Sequence, residues 1–163
     1  MVGGIYADFD LMVLKSIEGV LSDNAHGSFI VFEETTLSAR EAALVGQRER
    51  IRGGEPEAQL RIANYIMASS PHHPILRAIL EECVARRHRP VTSRYDILFT
   101  TGPDVVSSVV DRLQKDNSFS DLGGVIISKS IADQHFRHLV QWHWVSQLSL
   151  RAPQPPPLDN AIE

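Results

Sequence analysis

Val2-Gly3-Gly4-Ile5-Tyr6-Ala7-Asp8-Phe9-Asp10 opens the chain as a short apolar segment ending in two carboxylates one residue apart. It predicts a strand that runs into a turn. Two carboxylates at the mouth of a strand supply the oxygen ligands that hard divalent cations require, and a cation held this way keeps open positions for the oxygens of a diphosphate. Asp8 and Asp10 are therefore candidate ligands for Mn²⁺ or Mg²⁺, and a nucleotide-linked compound is the substrate class that suits such a site. Gly3 and Gly4 lack a Cβ, which lets a bulky ligand approach the backbone, and this places them on a ligand-facing wall. Aspartates also gather in surface turns for turn geometry alone, so the triplet by itself leaves both readings open.

Beyond this stretch the chain alternates strand-like and helix-like segments, the pattern of an α/β domain. Ser28 to Phe32 is β-rich and ends at Glu33 and Glu34, a strand expected to feed carboxylates toward the face that carries Asp8 and Asp10. Ser38 with Glu41 forms a capping box for a helix to about Ile51, closed by Gly53-Gly54. Pro74 suits a first helical position, and Ile75, Leu76, Ile79, Leu80, Cys83 and Val84 mark the buried stripe of the helix it starts. Tyr95, Ile97 and Phe99 alternate as in a strand. Pro103 opens another helix with Val105, Val106, Val109, Val110 and Leu113 on one face, and Val125-Ile126-Ile127 reads as a short buried strand. The segment from Ile131 to Leu150 is too irregular to assign.

Gly-Gly-Ile-Tyr-Ala-Asp-Phe-Asp resembles the G-G-x-Y-x-D-x-D signature of glycosyltransferase family 32, the D-x-D sugar transferases that include fungal initiation-specific α-1,6-mannosyltransferases and bacterial polysaccharide transferases. Three further blocks follow in the family's order. Ile62 to Pro74 is similar to its N-x-x-x-A-x-x-x-H-P block, Phe99-Thr100-Thr101-Gly102-Pro103 to its T-G-P turn, and His138 to Trp144 to its closing H-x-x-x-G-S-W, with Trp142 and His143 standing where the family has Gly and Ser.

The resemblance implies the C-terminal part of a GT-A type, Rossmann-like fold over residues 1–150, followed by a Pro-rich disordered tail over 151–163. It also implies that the nucleotide-binding front of such a domain either precedes Met1 or has been lost in an unusually short relative, so that donor binding by this chain alone is feeble and its opening strand becomes a sheet edge or lacks its former neighbours. The implied function is a metal-dependent, retaining transfer of a hexose from a nucleotide diphosphate sugar donor to a hydroxyl of a glycan or glycolipid acceptor. Asp10, helped by Asp8, would hold Mn²⁺ or Mg²⁺ against the diphosphate, and Asp8 would touch ribose or sugar hydroxyls. Gly3, Gly4 and Tyr6 would border the substrate, Asn64 and Ser69 would orient the sugar, and the acceptor would enter past Tyr6 and Trp144. His138 completes the cation site if it reaches Asp10; otherwise it is a core histidine bonded to a backbone carbonyl. Glu33 and Glu34 are candidates for a base. Two other readings are a remnant domain that binds no donor and a haloacid-dehalogenase-type phosphatase. The latter would use Asp8, Asp10, a threonine of the Thr100-Thr101 pair and Lys129.

Composition sets outer bounds. With 163 residues, 43% of them hydrophobic, the chain can bury a core, and its formal net charge of −4 argues against a nucleic-acid partner. Cys83 is the single cysteine, expected as a buried thiol. Arg86, Arg87, His88 and Arg89 end the helix begun by Pro74, where cations complement the carbonyl end, and read as a solvated cap. Either His72 or His73 is placed to satisfy a free backbone N–H. No apolar run reaches the roughly eighteen residues of a membrane span, and no leader is evident; the sequence leaves the compartment open.

Overall fold

Phe29, Ile30, Val31 and Phe32 are all buried, which requires that their strand be covered on both faces. The computed structural model, which describes residues 3–36, 60–92 and 94–139, shows how. Strand β3 (Phe29–Thr36) lies inside a four-stranded sheet with β1 (Gly4–Ala7), β4 (Leu60–Ser69) and β5 (Gly124–Ile127), in the order β1-β4-β3-β5. The β1/β4 and β4/β3 pairs are antiparallel and the β3/β5 pair is parallel. The protein is thus a mixed α/β fold on a mixed sheet. Among the described residues β1 lies at the edge of this sheet.

Because successive side chains of a strand point to opposite faces, β3 feeds two cores. Phe29 and Val31 join Ile62, Ile75, Val105 and Val109 on one face; Ile30 and Phe32 join Ala63, Ile66, Ala132 and Phe136 on the other. The first face is covered by α2 (Pro74–Arg86) and α4 (Pro103–Lys115), the helices that the proline starts and apolar spacing predict. The second is covered by α1 (Glu18–Asp23), α6 (Lys129–His135) and a separate two-stranded sheet of β2 (Leu11–Val13) and β6 (Phe136–His138). A one-turn helix, α5 (Ser118–Asp121), brings Phe119 to the first core.

His73 shows why α2 begins where it does. Its Nδ1 accepts the Ile75 N–H, its Nε2 lies 2.8 Å from the Ser28 hydroxyl and 3.0 Å from the Leu122 carbonyl, and its ring stacks on Phe29. Of the two histidines, His73 is the one that satisfies the orphan N–H. Cys83 packs against the first core, and burial pushes its thiol pKa up.

Three expectations are corrected or extended. Tyr95 to Phe99 is no strand but part of α3 (Arg94–Thr101). Asp96 accepts from the N–H and hydroxyl of Thr92 at the start of that helix, while Ile97, which strand alternation would place on the Phe99 face, is exposed. The Arg86 to Arg89 cluster is a solvated cap only in part, since Arg87, His88 and Arg89 are exposed but Arg86 is not. Arg86 is buried and donates to Glu82, the Phe99 carbonyl and the Ser108 hydroxyl, with its guanidinium 4.3 Å from the Phe99 ring centroid; only its neighbour Arg87 bonds a helix-end carbonyl, that of Val84. Ile62 to Ser69, read only as a motif, lies wholly in β4. The helix expected over Ser38 to Ile51 and the tail from 151 lie outside the described residues.

One irregularity shapes the site. Val31 pairs with Met67, but Glu33 pairs with Ile62, so β4 carries surplus residues between these two points and bulges there. Bulges bend a strand and re-aim its side chains. Here the bulge puts Ala63 and Ile66 on the second face although Ile62 and Met67 belong to the first.

Candidate metal centre

The turn after β1 is fixed by backbone bonds at each end. The Asp8 N–H donates to the Tyr65 carbonyl in the β4 bulge at 2.9 Å, the Leu11 N–H to the Asp8 carbonyl at 3.3 Å, and the Leu139 N–H to the Asp10 carbonyl at 2.8 Å. The last of these ties the turn to the end of β6. Since β6 pairs with β2 in the register Leu11 to His138, His138 stands beside the residue that follows Asp10. Phe9, at the tip, is fully exposed.

The result is a cluster. One oxygen of Asp8, one of Asp10 and a ring nitrogen of His138 lie within 4.8 Å of one another. Two ligands on opposite sides of one ion lie about 4.2 Å apart, twice a metal–oxygen distance of about 2.1 Å, so a small inward movement of the three groups would close them on a cation. His138 Nε2 is 3.3 Å from Asp10 Oδ2. Asp10 Oδ1 is buried without a hydrogen-bond partner among the described residues. Buried carboxylate oxygens are costly to leave unpaired, so this atom marks a place for a proton donor or a cation. Two carboxylates and an imidazole form a donor set suited to Mn²⁺, which accepts nitrogen more readily than Mg²⁺ does. The residues fit a divalent cation.

Around the cluster, Tyr6 donates its hydroxyl to Asp8 Oδ1. That bond, then burial and the charges of Asp8 and Asp10, raises the Tyr6 pKa, so the phenol stays a donor near neutrality. Tyr65 stacks on His138, with centroids 4.3 Å apart and planes 13° from parallel. Burial, and secondarily the Glu34 charge, pushes the Tyr65 pKa up to about 12. Beside the carboxylates is an open hollow of about 400 Å³ lined by Tyr6, Ala7, Asp8, Phe9 and Asp10.

Other residues singled out in the sequence are placed differently. Asn64 directly precedes Tyr65 in β4, within the bulge that holds the Asp8 backbone. Ser69 is not with it: it pairs with Gly4 and Phe29 at the far end of β4, where Gly4, Ser28, Ser69 and Ser70 border a separate hollow of about 250 Å³. Gly3 serves the chain's own packing rather than a ligand wall, since a Cβ there would lie 2.7 Å from Pro71 Cδ and from the Ser69 carbonyl oxygen. At Gly4 nothing lies within 4 Å of that position. Trp144 lies outside the described residues.

The candidate bases are otherwise engaged. Glu33 accepts the Lys129 N–H at the start of α6 and the Thr36 hydroxyl, and Glu34 lies 3.6 Å from Arg61. The partners that a phosphatase would need form no contact with Asp8 among the described residues: Lys129 binds Asp133, and the Thr100 hydroxyl bonds the Asp96 carbonyl within its own helix. Tyr65 escaped the sequence reading, because an aromatic residue inside a strand motif reads as packing and no spacing rule links it to His138.

No helix among the described residues is long and apolar enough to cross a membrane. Comparison with known proteins finds no matching family model, no matching curated protein and no matching solved structure.

Proposed function

We propose that this chain carries the cation and donor site of a metal-dependent, retaining glycosyltransferase of GT-A type, which moves a hexose from a nucleotide diphosphate sugar to a hydroxyl of a glycan or glycolipid. The observation that carries the reading is the convergence of Asp8, Asp10 and His138 from the first turn and the last described strand. Convergence of these particular residues is what the sequence resemblance calls for, and a surface turn of aspartates has no need of it.

Asp8, Asp10 and His138 would hold Mn²⁺ or Mg²⁺, which supplies Lewis-acid neutralisation of charge on a diphosphate leaving group. The protein's own part is orientation. Tyr6 fixes the Asp8 carboxylate through its hydroxyl, and the bonds of Leu139 to Asp10 and of Asp8 to Tyr65 hold both aspartate backbones before any ligand arrives. Such preorganisation removes the need to reorganise the site as charge develops. Asn64, beside Tyr65, offers an amide that both donates to and accepts from sugar hydroxyls. Ser69 is given no sugar contact in this reading.

The direct test is calorimetric titration of the full chain with GDP and UDP, with and without Mn²⁺. Weak nucleoside diphosphate binding, in keeping with the feeble donor affinity expected of this chain alone, that requires Mn²⁺ and disappears in Asp10→Ala is the expected result. Mn²⁺ binding without any effect on either nucleotide, or no Mn²⁺ binding at all, would overturn the proposal.

A further inference from the structure

Tyr65 touches two of the three residues of the candidate centre by two different means. Its carbonyl accepts the Asp8 N–H at 2.9 Å, and its ring lies face to face with the His138 imidazole, with centroids 4.3 Å apart and planes at 13°. Both contacts come from one residue of the β4 bulge, which interrupts the register between Val31 and Glu33. The bulge is what allows the backbone of Tyr65 to meet the turn after β1 while its ring reaches β6.

The phenol itself is poorly suited to ligate or to act as a base. Burial pushes its pKa up to about 12, so it is neutral wherever carboxylates and imidazole would bind a cation. What the ring offers is a flat wall. An imidazole on a free χ2 torsion samples a broad, roughly two-fold range. Stacked on Tyr65, the imidazole keeps the orientation that brings Nε2 to within 3.3 Å of Asp10 Oδ2.

We infer that Tyr65 is a positioning residue for the cation centre, with its backbone setting Asp8 and its ring setting the plane of His138. The inference rests on the cation reading given above. Loss of a side chain that orients a ligand commonly costs about 10- to 100-fold in metal affinity.

The test uses the full chain and Mn²⁺ alone, with affinity read from the free-ion electron spin resonance signal and the imidazole contact from nitrogen modulation of the bound ion. Tyr65→Phe keeps the ring and should bind Mn²⁺ as the wild type does. Tyr65→Leu keeps the backbone bond but loses the wall; it should bind about tenfold or more weakly, with reduced nitrogen modulation. Wild-type affinity and undiminished modulation in Tyr65→Leu would overturn the inference. A second measurement needs no variant. In the wild-type chain the His138 ring protons should resonate upfield of those of exposed His26, and should stay there once stoichiometric, diamagnetic Zn²⁺ loads the centre. Loss of that displacement on loading would equally overturn it. Failure of wild-type chain to bind Mn²⁺ removes the cation reading and this inference together, whereas binding that ignores the Tyr65 ring removes this inference alone.

Discussion

His138 Nε2 lies 3.3 Å from Asp10 Oδ2, a contact between the first turn of the chain and its last described strand. It exists because β2 follows Asp10 directly and pairs with β6 in a register that sets Leu11 opposite His138. Asp10 Oδ1, the other oxygen of the same carboxylate, is buried and has no hydrogen-bond partner among the described residues.

Asp10→Ala should therefore separate binding from stability. Mn²⁺ affinity is expected to fall by at least about a hundredfold, the upper range for residues that merely orient ligands. Thermal stability should hold within about 1 kcal/mol, because removing an unpaired buried oxygen relieves desolvation that offsets the lost His138 contact. Titration and thermal unfolding of the same sample check both. A variant that unfolds readily yet binds Mn²⁺ as before would show that Asp10 is a structural group.

Asn64→Ala should leave Mn²⁺ affinity near the wild-type value, since Asn64 is not among the three clustered donors. Binding of a nucleotide diphosphate sugar, measured with Mn²⁺ present, should weaken by roughly tenfold through loss of hydrogen bonds to the sugar. An unchanged sugar nucleotide affinity, or a collapse in melting temperature that matches the loss of binding, would remove the sugar-facing role.

Arg86 predicts a large stability effect far from the centre. Burial pushes the Glu82 carboxyl pKa up, but hydrogen bonds from Arg86 and Arg112 outweigh it and hold the group below the usual carboxylate range. Arg86→Ala would leave the Phe99 carbonyl without its Arg86 donor and take one partner each from Glu82, which keeps Arg112, and the Ser108 hydroxyl, which keeps the Val105 carbonyl, at a cost of about 2 kcal/mol or more by urea unfolding. Arg86→Lys should recover little, because one ammonium cannot reproduce the planar fork or its stacking on Phe99.

His73 makes stability depend on pH with a definite sign. Burial lowers its pKa, against a smaller raising effect of the Leu122 carbonyl, and its Nδ1 must stay unprotonated to accept the Ile75 N–H. The unfolded chain therefore takes up a proton first as pH falls below the ordinary histidine value of about 6.5. The His73 contribution is fully present above that value and is lost as pH drops through the lowered folded pKa. Denaturant unfolding between pH 7.5 and 5 should show a decline that is shallower in His73→Asn, since asparagine caps without titrating. Equal slopes in the two proteins would contradict the assignment.

Edge position predicts unequal protection. Among the described residues β1 has a paired neighbour on one side only, with Ile5 and Tyr6 about half exposed, whereas β3 is flanked on both sides and fully covered at Phe29 to Phe32. Hydrogen exchange at β1 should be fast and at β3 slow. Ile5→Lys should lower any concentration-dependent association, as a charge on an exposed edge does. Equal protection of the two strands would rule out β1 as an edge.

Much of this fold was legible locally. Pro74 and Pro103 each preset the dihedrals of a first helical turn, and both helices begin where those prolines stand; apolar spacing marked the buried Val105, Val106, Val109 and Val110 of the second, but in the first it marked Leu80 and Val84, which are exposed, together with the buried Ile75 and Ile79. The β-rich run from Ser28 to Phe32 announced a strand, while its coverage on both faces became visible only in the structure. Local pattern failed at Tyr95 to Phe99, where three alternating residues imitate a strand while Asp96 and Thr92 set up the start of a helix. It failed again at Arg86, whose burial depends on Phe99 and Ser108 arriving from other helices.

For the site, the sequence by itself determined the carboxylate pair and its turn, because ligand type and one-residue spacing are local properties. Whether His138 would join Asp10, that Tyr65 would hold both ends of the cluster, and that Ser69 and Gly3 would lie elsewhere were decided only by the β2/β6 register and the β4 bulge. Strand register and bulges are settled by competition among long-range packing arrangements, which no short window of residues contains.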